Sequence, residues 1–189
     1  MRRIIVSEFL TLDGVMEDPG GAEKSEFGGW SHQFFNEEFG KYKFDELFSC
    51  DALLLGRLTY EGFAAAWPSM TDEQGFSERM NGIPKFVVTT TLTKADWNNS
   101  TLIKENIVAE ISKLKEQPGK DILVAGSGVL ARGLLQNDLV DEFRLMIHPI
   151  LVGGGRRLFD ETPRKVLKLV ESKELNTGVE ILTYHPVKN

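Results

Sequence analysis

Cysteine is almost missing from the 189 residues: Cys50 stands alone, which excludes an intrachain disulfide and any multi-cysteine metal site and fits a reducing compartment. His32, His148 and His185 are scattered without ligand-like spacing, so no metal is expected. No block of lysine or arginine is present. With 22 basic and 28 acidic residues the net charge is −6, which disfavours nucleic acid or an anionic membrane surface as partner, since both demand concentrated positive charge. No apolar run approaches the roughly 18 residues of a membrane span. The opening Met1-Arg2-Arg3-Ile4-Ile5-Val6 is faintly similar to a signal peptide, but Ser7 and Glu8 cut the run short. A G-x-S-x-G hydrolase elbow, internal repeats and low-complexity linkers are all lacking. The expectation is a cytoplasmic protein with one domain over 1–189, and 41% hydrophobic with 26% charged residues is an ordinary globular balance.

What is present is an alternation of strands and helices. Arg3 to Leu10, rich in β-branched residues at its start, reads as a buried first strand, followed by a turn at Asp13-Gly14. Met16 to Trp30 contains Asp18-Pro19-Gly20-Gly21 and Gly28-Gly29 and reads as a mobile loop, either a plain surface connection or an active-site cover. Phe35, Phe39 and Tyr42 share a face of a helix over Ser31 to Phe48. Strands follow at Asp51 to Leu55 and Lys85 to Thr90, with a weaker one at Ser100 to Ile103 and a helix between the first two ending at Pro68. Asn106 is placed to cap a helix carrying Ile107, Ile111 and Leu114 on one face. Val140 to Val152 reads as a long strand with one covered and one more polar face. Lys165 to Glu171 and Val179 to Tyr184 then form an antiparallel hairpin. Alternation for two thirds of the chain, then strands alone, predicts a mixed sheet with helices on its faces.

Two strand-to-helix junctions are marked by glycine. In Asp121 to Leu135 an apolar run ends at Gly126-Ser127-Gly128 and turns at once into an amphipathic segment; in Asp51 to Trp67 the exit is Gly56-Arg57-Leu58-Thr59. The first helical turn has N–H groups without intrahelical partners and partial positive charge, so such a junction is either a tight turn or a phosphate site. Gly126-Ser127-Gly128-Val129-Leu130-Ala131 fits G-x-G-x-x-A, yet no second βαβ half and no acidic residue at Met146 follow, which excludes a Rossmann domain. A phosphate-binding P-loop is excluded because Gly128 is not followed by Lys and Ser or Thr.

Gly56-Arg57-Leu58-Thr59-Tyr60-Glu61 resembles the Gly-Arg-x-Thr-aromatic-Glu motif of dihydrofolate reductases. Leu139 to Arg144, His148 to Gly153 and the glycine-rich turn up to Phe159 resemble the C-terminal reductase domain of the bifunctional riboflavin-biosynthesis deaminase/reductase, and stand-alone relatives of that domain most of all. The resemblance runs from Ile4 to about Tyr184. It implies an α/β, dihydrofolate-reductase-like fold: a mixed eight-stranded sheet with helices on both faces, a C-terminal antiparallel hairpin and NADPH bound along the sheet edge. It implies cofactor contacts at Gly56, Arg57, Thr59, Gly126, Ser127, Gly128, Val129 and Leu130, with Thr89 and Thr90 flanking the adenine side. Arg57 can pair bidentately with a ribose 2′-phosphate. Asp13 and the loop to Trp30 would cover the nicotinamide, and Asp13, Glu37 and Glu38 are the candidate catalytic carboxylates.

The implied activity is NADPH-dependent reduction of a small planar, pteridine- or pyrimidine-like substrate, of the 5-amino-6-(5-phosphoribosylamino)uracil reductase type. Hydride transfer needs the nicotinamide held against an acceptor with water excluded. The alternative is an NADP-binding regulatory or structural module without turnover. Arg156 and Arg157 are either a substrate-phosphate site or a solvated turn. The deaminase half of the riboflavin enzyme, with its zinc ligands, has no counterpart in the chain. A homodimer is expected from the same resemblance.

Overall fold

The computed structural model describes residues 1–160 and 162–187. Its strands are β1 (Ile4–Thr11), β2 (Cys50–Gly56), β3 (Lys85–Val88), β4 (Ser100–Ile103), β5 (Asp121–Ala125), β6 (Glu142–His148), β7 (Leu167–Glu174) and β8 (Glu180–Pro186). They form one sheet in the order β4-β3-β2-β5-β1-β6-β8-β7. Pairing is parallel from β4 through β6 and antiparallel for β6 with β8 and β8 with β7. The mixed eight-stranded sheet and its terminal antiparallel pair are those expected.

Helices α1 (Glu37–Ser49), α2 (Arg57–Ala66), α3 (Phe76–Gly82), α4 (Ile107–Glu116) and α5 (Gly128–Gln136) cover the sheet. Strand alternation distributes the core between its faces. Ile4, Val6 and Leu10 of β1 join Ala52, Leu54, Ile122 and Val124 beneath α4 and α5. Ile5 joins Leu53, Leu55 and Leu123, which meet Leu47 of α1, Tyr60 of α2 and Met80 of α3. Each such fully buried side chain contributes about 1.5–3 kcal/mol. Helices α2 and α5 therefore leave adjacent parallel strands, β2 and β5, on opposite faces, and both begin at the same edge of the sheet.

Four local expectations change. The helix predicted over Ser31 to Phe48 is a 3-10 turn at His32–Phe34 followed by α1, because Asn36 resets the start: its side chain accepts from the Phe39 N–H at 2.9 Å. Asn106, expected as a side-chain cap, instead takes the left-handed region at φ 50° and makes no capping bond; only its carbonyl enters α4, accepting from the Glu110 N–H. The strand predicted over Val140 to Val152 is shorter, Glu142–His148. The more polar face is covered as well: Met146 and His148 are fully buried under α1 with Phe39, and Glu142 and Arg144 are held in an ionic network with Arg3 and Glu46. Finally, the segment from Met16 to Trp30 is irregular as expected but held in place. The buried Asp18 carboxylate accepts from the N–H groups of Glu23 and Ser25, both at 3.0 Å, and Trp30 donates through Nε1 to the Glu17 carbonyl at 3.0 Å. Among the described residues no helix is long and apolar enough to cross a membrane.

Candidate cofactor and active site

The parallel strands β1 to β5 end along one edge, and that edge gathers the glycine-marked turns. Gly56 is in register with Val88 of β3, so Thr89 sits one residue beyond it. On the other side of β2, β5 ends at Ala125 and turns through Gly126 and Ser127 into α5. The two turns touch. Ser127 Oγ accepts from the Gly56 N–H at 2.9 Å and donates to Thr59 Oγ1 at 2.9 Å, so one serine ties the start of α2 to the start of α5. Ser127 pays for this position with φ 70°, a backbone state that costs a non-glycine residue roughly 1–2 kcal/mol. Gly126 is also left-handed at φ 60°, and a Cβ there would stand 3.1 Å from Thr59 Oγ1. Glycine at 126 is what lets the turns close.

The first intrahelical bond of α5 runs from the Ala131 N–H to the Ser127 carbonyl at 2.9 Å. The N–H groups of Gly128, Val129 and Leu130 precede it and belong to the unpaired first turn. Val129 is 80% exposed, so this end opens to solvent. Met16 crosses it closely: a Cβ on Gly128 would collide with the Met16 sulfur. Arg57, at the start of α2, is half exposed and paired with Glu61 at 2.7 Å. Thr89 is buried, and its Oγ1 accepts from the N–H groups of Thr91 at 3.2 Å and Leu92 at 3.1 Å, fixing the turn after β3; Thr90 is exposed beside it. The sites expected at 56–59, 89–90 and 126–130 thus share one edge. A donor set of free N–H groups, an arginine and hydroxyls fits a phosphate-bearing ligand.

Two of the three candidate carboxylates, Asp13 and Glu38, tie backbone segments together. Asp13 accepts from Thr11 Oγ1 at 2.6 Å and from the Gly153 N–H at 2.9 Å, and these bonds, the threonine first, hold its carboxyl below the usual range. It joins the turn after β1 to the glycine-rich segment after β6. Glu38 accepts from the Asn176 N–H at 2.9 Å, tying α1 to the β7–β8 turn, and Glu37 is exposed in the first turn of α1. The arginine pair is likewise engaged. Arg156 is bridged to Glu17 and Glu23, while Arg157 donates to the Asp13 carbonyl at 3.0 Å.

Two buried groups were not singled out by sequence reasoning. The β1–β5 ladder ends at Ser7 with Ala125, whereas β1 continues to Thr11 paired with β6 alone. The Arg3 carbonyl accepts from Ile122 on the β5 side and the Ile4 carbonyl from Asp141 on the β6 side. Alternation therefore directs the N–H and C=O of Phe9 into the gap that β5 vacates. Glu8 is the first residue beyond that ladder. It lies between Val6 and Leu10, opposite Leu145, only 3% exposed, and its Oε1 has no hydrogen-bond partner among the described residues. Desolvation pushes its carboxyl up to about 8, with Lys43 opposing and Glu46 assisting. The signal was in the sequence: one acid inside Ile4-Ile5-Val6-Ser7-Glu8-Phe9-Leu10.

The second is His148, fully buried among the rings of Phe9, Trp30, Phe34 and Phe39, whose centroids lie 5.0–5.9 Å away. Its Nδ1 lies 2.9 Å from the Met146 carbonyl and 3.1 Å from the Leu10 carbonyl, so Nδ1 carries the hydrogen. Nε2 is without a hydrogen-bond partner among the described residues, and desolvation lowers the basicity of the ring.

Residues 2–181 match the RibD C-terminal domain family. The uncharacterized protein YyaP of Bacillus subtilis (strain 168) is 32% identical over 188 residues, 97% of this chain and 95% of YyaP. The crystal structure of a candidate riboflavin biosynthesis protein from Shewanella sp. PV-4 superposes with a TM-score of 0.77 at 25% identity, covering 98% of this chain and 99% of that one. Dihydrofolate reductase from Enterococcus faecalis, complexed with NADP(H), superposes with a TM-score of 0.57 at 16% identity over 98% of this chain and 97% of its own; that likeness is one of fold. The sheet order and its C-terminal pair are those of the dihydrofolate-reductase-like fold, and the chain belongs to the RibD C-terminal domain family.

Proposed function

We propose that the protein is an NADPH-dependent oxidoreductase that reduces a small planar, pteridine- or pyrimidine-like substrate by hydride transfer. The observation that carries this reading is the Ser127 bridge, which brings two helix N-termini and Arg57 to one sheet edge. The Enterococcus relative of the same fold is complexed with NADP(H), which supports a nicotinamide cofactor. Gly128, Val129 and Leu130 would offer N–H groups to the pyrophosphate, with Gly56 and Thr59 shaping the facing turn. Arg57 would take a 2′-phosphate, and Thr89 and Thr90 would flank the adenine side. When bound, the reduced nicotinamide supplies the hydride. The Phe9 peptide group, open toward the vacated strand position, offers one donor and one acceptor to a carboxamide. Met16 and the held loop to Trp30 would exclude water.

Titration with NADPH and NADH followed by nucleotide fluorescence tests the reading. Saturable binding with preference for NADPH is expected, and no binding of either nucleotide overturns it. The module without turnover is distinguished by NADPH oxidation: binding with no oxidation across pterins, pyrimidinones and quinones favours the module. The reading includes a single domain over 1–189, a cytoplasmic location and a homodimer. Strand β7 leaves Leu169 and Val170 about half exposed at the sheet edge, a surface a second copy would cover. A monomeric mass by light scattering overturns the dimer.

A further inference from the structure

We propose that Glu8 stands beside the redox ring in the gap between β1 and β5 and supplies the proton that the reduction consumes. This rests on the cofactor reading above and assigns a role from which Asp13 and Glu38 are held back by their backbone ties, while Glu37 stands exposed at the start of α1. The placement follows from the ladder. Glu8 is the first residue of β1 past the point where β5 leaves the sheet, and Gly126, the first residue of the candidate phosphate turn, is the next residue of the departing strand. The side chain is buried on the face covered by α5, whose inward residues Leu130, Ala131, Leu134 and Leu135 offer no polar partner. Across the strand stands Leu145. The charged groups acting on Glu8 both come from α1: Lys43, engaged with Glu46 and Ser7, and Glu46 itself. His148 titrates nearby, bonded to the Leu10 carbonyl.

A buried carboxyl with an unpartnered oxygen persists as the neutral acid, and a neutral acid is what a hydride transfer to a C=N or C=O group requires. The hydride forms the new C–H bond while the π pair moves to the heteroatom. The O–H bond of Glu8 breaks, and its proton forms the heteroatom–H bond. The substrate gains two electrons and the cofactor loses two. Glu8 is left as a carboxylate beside a ring that has become cationic, and each charge offsets the desolvation of the other. Once the oxidised cofactor leaves, the carboxylate regains a proton from solvent.

The test needs no substrate. A cationic ring within about 6 Å of a carboxylate shifts its ionisation by about one to three pH decades. The ratio of NADP+ to NADPH affinity in the wild type should therefore rise at least about tenfold between pH 5 and pH 9. Titration of the 2′-phosphate is common to both nucleotides and cancels. In Glu8→Gln the ratio should be flat, and a carboxylic-acid carbonyl band seen by infrared spectroscopy at neutral pH in the wild type should be missing. Binding of both nucleotides with a flat ratio in the wild type, or with the same rise in Glu8→Gln, overturns the role of Glu8 and leaves the cofactor reading standing. Failure of the wild type to bind either nucleotide overturns both.

Discussion

Replacing Glu8 by glutamine removes the titrating proton and little else, so it isolates what the buried carboxyl costs the fold. The group's ordinary value of 4.5 is raised to about 8 in the folded chain. Between those limits the folded state holds a proton that the unfolded state has released. Its contribution to stability is thus fully present below pH 4.5 and is lost as pH rises toward 8. From pH 4.5 to pH 7 the loss amounts to about 3 kcal/mol, at about 1.4 kcal/mol per pH decade. Glutamine also brings a buried amide, but that penalty does not vary with pH and drops out of the slope. Urea melts of wild type and Glu8→Gln at half-unit pH intervals should show the variant gaining about 3 kcal/mol on the wild type between pH 4.5 and pH 7, with the gain complete near pH 8. A difference that stays flat across that range refutes the burial argument. Against a total stability of roughly 5–15 kcal/mol the cost is large, which is why a use for the group is expected and not an accident of packing.

Ser127→Ala leaves the Gly56 N–H without its acceptor and should cost about 1–3 kcal/mol in denaturant melts, together with a loss of NADPH affinity; unchanged binding would remove Ser127 from the cofactor site. Glu61 holds Arg57 at 2.7 Å in an exposed pair, so Glu61→Gln should release the guanidinium and raise the preference for NADPH over NADH, an effect abolished in Arg57→Ala. A preference that persists in Arg57→Ala would rule out the 2′-phosphate contact. His148 has the opposite pH sense to Glu8: its folded value lies below the ordinary 6.5, so the unfolded chain takes the proton first. Stability should fall as pH drops below about 6.5, by up to about 1.4 kcal/mol per pH decade, and His148→Gln should flatten that limb.

The fold was legible because its cues are local and agree. β-branched runs gave the strands, glycine exits gave both helix starts at the sheet edge, and the switch from alternation to strands alone marked the antiparallel end. What was not legible depended on partners distant in sequence. Met146 and His148 alternate with apolar residues as polar-face positions do, yet α1 lies over them, and only the packing of Phe39 reveals it. Asp13, Glu37 and Glu38 are acids at turns and helix starts, where sequence cannot tell a reactive group from one capturing a backbone N–H; two of the three prove to be such ties. Glu8 escapes a reading of the sequence for the converse reason. An acid inside an apolar run reads as the interruption of a strand, and its meaning rests on where the neighbouring strand ends. That end is set by Gly126, 118 residues later, whose left-handed turn takes β5 out of the sheet one step before it would have covered Glu8. The candidate phosphate turn and the placement of Glu8 are thus one feature: the turn that leaves three N–H groups at the start of α5 without intrahelical partners also takes β5 away from β1.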